Sequence, residues 1–388
     1  MRIVYVSTDA GVPPFGRKGA SVHIQAVITQ LLDRGHEVHL VTSRPGPVPT
    51  HLSGLSVHPL PGAHGPDTSA QEVAARSVDR ETAVVLDELW SDGPIDLVYE
   101  RYALWGRTAM AWARAHQVAS ILEVNSPLPQ EQARHRLLVD HQAADAVARS
   151  AMADADVVVC VSGPVADWVR GLGSADPTSV HVVPNGVDTR LFTPVEVRPR
   201  PATFTVGFVG TLKPWHGVED LVHAIGLVNE DDPPCRLLIV GDGPERPRLE
   251  ELVARHGLSD SVEFTGATTP ADVPYHLARM DVAVAPYPPT EDFYFSPLKI
   301  YEYLAAGLAV VASDVGTLPD LLLGTGQPIG MVYRAGSVTD LAATLVELRN
   351  DPARRADLGR RGRRAMVDGH DWAQVVEHTL DLSEVRRG

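Results

Sequence analysis

The sequence predicts an α/β protein made of two doubly wound, mainly parallel sheets. Short apolar runs alternate with helix-length amphipathic stretches along most of the chain, which is the pattern of βαβ units. At 388 residues the chain exceeds one compact core and suits two domains. Midway, Pro184-Asn185-Gly186 and then the proline-marked stretch 192–201 interrupt the alternation and dilute the apolar content, which places a linker there.

In chain order, the first half offers strands at 2–7, 37–42, 96–100, 120–125, 156–161 and 180–183. Amphipathic stretches at 21–34, 71–89, 130–153 and 164–172 separate them, as parallel strands require crossover helices on the faces of their sheet. The second half offers strands at 203–209, 236–240, 261–265, 282–286 and 309–313. Ligands of such sheets bind outside the carboxyl ends of the strands, so chemistry is sought in the loops that follow each strand.

Hydrophobic residues at 44% and charged residues at 21%, with no apolar run of about twenty residues, exclude a disordered or helically membrane-spanning chain. Met1-Arg2-Ile3-Val4-Tyr5-Val6 reads as a strand and not as a secretory signal, so a cytoplasmic protein without a stable membrane anchor is expected. Cys160 and Cys235 lie far apart in apolar runs and are expected as buried strand residues, with neither a disulfide nor a metal site. The net charge of -15 repels polyphosphate, which argues against nucleic acid or an anionic membrane as partner. Any phosphate must be bound locally. Of the 34 basic residues only Lys18, Lys213 and Lys299 are lysines, each in a glycine- or proline-marked loop. The arginine-rich run 354–364 has helical spacing and reads as a solvated face.

Three loops stand out. The first, 8–20, joins the first strand to a helix beginning near Ser21. It fails as a Walker A loop, since Lys18 falls one position late without a following Ser or Thr and two prolines remove donors. It lacks Gly-x-Gly-x-x-Gly, as does Gly241-Asp242-Gly243-Pro244-Glu245-Arg246, which disfavours a dehydrogenase. What remains is a weak anion site at Gly19, or an ordinary turn. The second loop, Gly210-Thr211-Leu212-Lys213-Pro214-Trp215-His216-Gly217, gathers a cation, an imidazole and two glycines at a strand end. In the third, Ser296 suits an N-cap and Pro297 the first helical position, leaving the amides of Leu298 and Lys299 for a phosphate. Glu302 lies about one turn deeper on the face of Lys299, where a carboxylate can accept from a ribose diol. An N-capped helix with an i, i+3 ion pair is the plainer alternative.

The ordered set Gly35-His36-Glu37-Val38, Pro184-Asn185-Gly186-Val187-Asp188, Gly241-Asp242-Gly243-Pro244, Phe264-Thr265-Gly266, 296–307 and Ala309-Val310-Val311-Ala312-Ser313 resembles the family 4 glycosyltransferases of GT-B architecture, over nearly the whole chain. The resemblance implies two facing Rossmann-like lobes: an acceptor-binding domain at 1–186, a nucleotide-sugar-binding domain at 187–370, and a final helix at 371–388 crossing back to the first. It implies a retaining, metal-independent transfer with no cofactor, from a UDP- or GDP-sugar, by a monomer or homodimer. By position, Glu302 matches the second glutamate of the family's Glu-x7-Glu motif, whereas Tyr294 stands where the first belongs and Glu291 or Asp292 is offered instead. The family's diphosphate-binding Arg and Lys match Thr211 and His216, so Lys213, His216 and Lys299 are expected to substitute. Asn125 stands at or near the family's sugar-facing histidine. Donor binding is thus expected from Gly19, Gly210, Gly241, Gly243, Glu291, Tyr294, Ser296, Pro297, Leu298, Lys299 and Glu302, and catalysis from His216, Lys213, Lys299 and Asn125. No Asp-x-Asp metal motif sits in a strand-end loop, since Asp154-Ala155-Asp156 reads as a turn.

For the acceptor, the carboxylates Asp9, Glu100 and Glu123 are expected at strand ends with Lys18 and Asn125, facing one cleft. That much negative charge suits a small amine-bearing or zwitterionic acceptor, and 122–132 is similar to aminoglycoside-type antibiotic-pathway glycosyltransferases. A polysaccharide or glycolipid acceptor, a sugar-nucleotide epimerase of the same fold, and a carrier that lost activity remain alternatives.

Overall fold

A computed structural model describes residues 1–194, 203–230, 234–290, 292–324 and 326–384. Its contacts divide the chain into two units: Met1–Asn185 with Tyr294–Ser296 and Trp372–Gly388, and Gly186–Phe293 with Pro297–Asp371.

The first unit runs β1 (Arg2–Ser7), α1 (Gly19–Asp33), β2 (Glu37–Thr42), β3 (Ser56–Pro59), α2 (Thr68–Asp92), β4 (Leu97–Arg101), α3 (Thr108–His116), β5 (Ala119–Val124), α4 (Leu128–His135), α5 (His141–Asp154), β6 (Val157–Cys160), α6 (Gly163–Leu172) and β7 (Val180–Val182). Its strands form one parallel sheet in the order β3-β2-β1-β4-β5-β6-β7. The second unit runs β8 (Thr205–Val209), α7 (Val218–Val228), β9 (Arg236–Val240), α8 (Arg246–Arg255), β10 (Val262–Phe264), α9 (Val273–Leu277), β11 (Val282–Ala285), α10 (Leu298–Ala305), β12 (Ala309–Ser313), α11 (Leu318–Leu323), β13 (Met331–Tyr333), α12 (Val338–Asn350) and α13 (Pro352–Gly369). Its parallel order is β10-β9-β8-β11-β12-β13. The last helix, α14 (Trp372–Glu384), belongs to the first unit.

Both sheets reverse direction of winding beside their first strand, between β1 and β4 and between β8 and β11. Loops diverge there, which opens a crevice at the strand ends of each sheet. Central strands are buried on both faces, as their unbroken Val, Ile and Leu runs demand. Two edge strands, β3 and β13, escape the sequence reading because they are short and mostly half-buried or exposed.

The single helix expected over 130–153 is two helices. Glu72 accepts the amides of Val139 and Asp140 at 2.8 and 3.0 Å, and Asp140 then caps the second helix through the amide of Ala143. The long-range carboxylate takes donors that a continuous helix would use internally. On α13, Arg360 and Arg361 pair with Asp357, while Arg363 donates to the carbonyls of Thr189, Phe192 and Ala305. These arginines hold the unit together as well as facing solvent. Cys160 and Cys235 are free and buried. No helix among the described residues is long and apolar enough to cross a membrane.

Candidate functional site

In the second unit the strand-end loops interlock through glycines. The amide of Gly210 bonds the Val240 carbonyl at 2.9 Å and that of Leu212 the Asp242 carbonyl at 2.9 Å, which ties the loop after β8 to the loop after β9. Gly241, at φ 134°, could not carry a Cβ, since it would lie 2.0 Å from the Gly210 carbonyl oxygen. A Cβ on Gly210, at φ 152°, would lie 2.8 Å from Lys299 Nζ. One on Gly243 would strike the Leu212 backbone. These glycines shape the loops whether or not they touch a ligand.

Lys299 is the second residue of α10, after the β11 loop. Its Nζ lies 4.1 Å from the Phe208 ring centroid and 5.5 Å from that of Tyr287, contacts in which a cation is attracted to the ring faces. The atom is buried and has no hydrogen-bond partner among the described residues. Burial, partly offset by Glu302, pushes the ammonium down to about 7. Burial likewise pushes the Glu302 carboxyl up to about 7, with Lys299 opposing. The ion pair of the plainer alternative does not form. Phe208, Tyr287 and Tyr303, whose hydroxyl accepts from the Val209 amide at 2.7 Å, surround this site and were not singled out as site residues in the sequence. Nothing in their residue type or spacing marks them.

His216 departs from expectation. Its Nδ1 donates to the Thr211 carbonyl, which can only accept, so the neutral ring leaves Nε2 as a bare acceptor. Burial, then the charges of Lys299 and Lys213, push the imidazole down to about 3. It therefore neither replaces a diphosphate cation nor donates from its free nitrogen at neutral pH. Lys213 Nζ lies 5.5 Å over the ring of Trp215, which is 51% exposed.

The helix start is also corrected. α10 begins at Leu298 with Pro297 at the cap position in extended conformation and no side-chain cap. Ser296 Oγ instead accepts from the Asn185 amide at 3.2 Å, so it is not free to cap. The amides of Leu298 and Lys299 still open the helix. Tyr294 lies in the first unit's core, where its hydroxyl donates to Glu131 at 2.9 Å and its carbonyl accepts from Ser162 at 2.7 Å. A buried phenol committed to Glu131 does not stand in for a ribose-binding carboxylate. Glu291 lies outside the described residues.

In the first unit, the loop after β1 is pinned by Ser21 Oγ on the Pro13 carbonyl at 2.7 Å and Gln25 Nε2 on the Pro14 carbonyl at 3.0 Å. Asp9 accepts from the Gly11 amide at 2.7 Å, and Lys18 donates to the Gly11 carbonyl at 3.2 Å. Gly19 is the exposed first residue of α1. Arg17, Lys18 and Arg44 are exposed around this loop.

The three carboxylates do not share one face. Arg101 pairs in register with Glu123, which leaves Glu100 opposite Leu122 and pointing to the other side of the sheet. There Glu100 is fully buried, both oxygens lack partners among the described residues, and burial, with Asp79 adding, raises its carboxyl well above the usual range. Burial there favours its protonated form and leaves it no exposed face for an acceptor. Glu123 is buried too, but accepts from His23 at 2.9 Å, Tyr99 at 2.6 Å, Arg101 at 3.0 Å and Asn125 at 2.6 Å. Burial alone would raise it; His23, Arg101 and Tyr99 outweigh that and hold it well below the carboxylate range. With those partners it has no charge to spare for an amine. His23 itself gave no sequence signal beyond a polar residue on an apolar helix face. No cluster of metal-ligating side chains occurs among the described residues.

Comparison with known proteins supplies the rest. The family described as Glycosyltransferase Family 4 matches residues 17–191, and that described as Glycosyl transferases group 1 matches 203–351. Alpha-maltose-1-phosphate synthase of Mycolicibacterium smegmatis is 29% identical over 260 residues, which cover 62% of this chain and 66% of the relative; the chain thus matches about two thirds of that protein's length. D-inositol 3-phosphate glycosyltransferase of Kineococcus radiotolerans is 28% identical across 94% of this chain and 89% of its own. Among solved structures, sucrose-phosphate synthase of Thermosynechococcus elongatus superposes with a TM-score of 0.75 at 21% identity, covering 100% of this chain and 98% of that one. The shared architecture is the GT-B fold.

Proposed function

We propose, given that this chain belongs to the GT-B glycosyltransferases described by the family 4 and group 1 profiles, that it moves a sugar from a UDP- or GDP-sugar to a small hydroxyl-rich acceptor, with retention and without a metal. The observation that carries this reading is Lys299: a buried amine without a hydrogen-bond partner among the described residues, at the β8/β11 crevice, one turn from Glu302. In the departing nucleoside diphosphate, charge develops on the bridging oxygen. Lys299 and the first amides of α10 are suited to stabilise that charge, and Glu302 to accept from the ribose hydroxyls. Lys213 is free to approach the same phosphates from the β8 loop.

The amine-bearing acceptor expected from three carboxylates retains only Asp9 in its support. Exposed Arg17, Lys18 and Arg44 favour an anionic acceptor such as a phosphorylated polyol, in keeping with the inositol phosphate named for one relative. The test is to incubate the protein with UDP- and GDP-sugars and with an inositol phosphate, an aminocyclitol or a neutral disaccharide, with and without EDTA. Nucleoside diphosphate release is followed, and the product's anomeric configuration is read by NMR. Release only with the inositol phosphate, unaffected by EDTA and with retained configuration, is expected. Acceptor-free isomerisation would make it an epimerase, and silence with every pair would overturn the proposal.

A further inference from the structure

In the first unit, hydrogen-bond partners dictate a protonation state. His23, 5% exposed on α1, lies between two groups that only accept. Its Nδ1 faces Asn185 Oδ1 at 2.8 Å and its Nε2 faces Glu123 Oε2 at 2.9 Å. The Asn185 amide cannot be turned over, because its Nδ2 donates to the Ser296 carbonyl at 2.5 Å and an oxygen there would meet another oxygen. Glu123 accepts its remaining bonds from Tyr99, Arg101 and Asn125, so both of its oxygens act as carboxylate acceptors. Both ring nitrogens of His23 must then carry hydrogen.

The same logic fixes Asn125. Its Nδ2 donates to Glu123 Oε1 at 2.6 Å, which commits the amide's orientation and leaves Oδ1 as an acceptor. Asn125 is half-buried at the carboxyl end of β5, where a doubly wound sheet receives ligands. We infer that His23 is a doubly donating imidazolium acting as a positioning residue: it holds ionised Glu123 in place, Glu123 orients Asn125, and Asn125 Oδ1 accepts from a hydroxyl of the bound substrate. The last step rests on the glycosyl-transfer reading. The charged and titratable groups of the network are Glu123, Arg101, Tyr99 and Tyr5, which stacks on Tyr99; the edge of Trp372 from α14 closes it, with ring centroids 4.9 Å from His23. Two cations, His23 and Arg101, face one carboxylate, so this strand end does not favour an amine.

Nitrogen-15 NMR of the histidine-labelled full chain at pH 7 tests the first half, with a His23→Gln variant to identify the signals. Two protonated ring nitrogens are expected for His23; one bare nitrogen would overturn the inference whether or not any transfer has been detected. Kinetics test the second half. Asn125→Ala should lower kcat/KM roughly tenfold, the loss of one good hydrogen bond. Glu123→Gln should cost about the same, and the double variant little more than either, because both act through one amide. Thermal unfolding checks that each variant folds. Additive losses, or full turnover in Asn125→Ala, would overturn the positioning role. If the wild type transfers nothing from any donor, the functional reading fails and the NMR result alone decides the state of His23.

Discussion

Each unit buries charge near the carboxyl ends of its strands, and the two do so in opposite ways. In the first, Glu123 meets His23, Tyr99, Arg101 and Asn125. In the second, Lys299 Nζ meets two aromatic rings and, among the described residues, no acceptor. A satisfied network fixes the side chains within it, whereas an unpaired buried cation is disfavoured, as the lowering of the Lys299 ammonium to about 7 reflects, until a ligand supplies its partner. The first arrangement therefore orients, and the second waits to bind. Glu100 is the counter-case inside the first unit: it too lacks partners among the described residues, but it is fully buried beside Asp79, where burial favours its protonated form.

The sharpest way to break this contrast is Lys299→Met. Transfer should fall by about 10²- to 10³-fold, the usual cost of one preorganised charge-stabilising group, while the melting temperature holds or rises because a buried ammonium is gone. Nucleoside diphosphate release and thermal unfolding read the two effects. A destabilised variant with normal turnover would make Lys299 a core residue like any other.

Glu100→Gln probes the opposite case. Burial raises the folded Glu100 carboxyl well above 4.5, so below about that pH both states hold the proton and the group adds no pH dependence. Above it the unfolded chain releases the proton and the folded chain does not. Stability should therefore fall with rising pH by up to about 1.4 kcal/mol per unit. Urea unfolding from pH 5 to 8 should show a flatter profile for Glu100→Gln than for the wild type. Identical profiles would mean that Glu100 is solvated or paired.

A smaller effect is expected at His216. With its imidazole pushed down to about 3, it is neutral from pH 5 to 8, so the rate should show no protonation step from it in that range. His216→Ala should cost about tenfold or less, as for one neutral hydrogen bond, and well below Lys299→Met. A rate limb that disappears in the variant would restore His216 as a cation.

Smallest of all, Tyr294→Phe, which removes the bond to Glu131, should cost about 1 kcal/mol of stability and leave nucleoside diphosphate affinity unchanged by calorimetry. A weakened nucleotide would place Tyr294 at the ribose after all.

Much of the fold was legible because parallel strands buried on both faces announce themselves. β1, β2, β9 and β12 coincide with the expected runs, since Val, Ile and Leu in unbroken series have no other stable place. The edge strands β3 and β13 were not, because half-solvated strands need no such series. The break between α4 and α5 was hidden for another reason: it depends on Glu72, distant in sequence, taking two amides. Of the candidate site, Lys299 and Glu302 were legible as a pair one helical turn apart, but their failure to bond each other was not.

What the sequence determined by itself is the order of βαβ units, the two-sheet plan and the strand-end loops that carry Lys213, Lys299 and Asn125, because each follows from local periodicity and from glycine and proline chemistry. Only the tertiary structure decided which charges are satisfied. The register that sets Arg101 beside Glu123 sends Glu100 to the opposite face, and the packing of α1 brings His23 between Asn185 and Glu123. The Thr211 carbonyl claims one nitrogen of His216. Such pairings depend on groups brought together from separate strands, helices and loops, and a residue's type and spacing carry no record of the partner that will meet it.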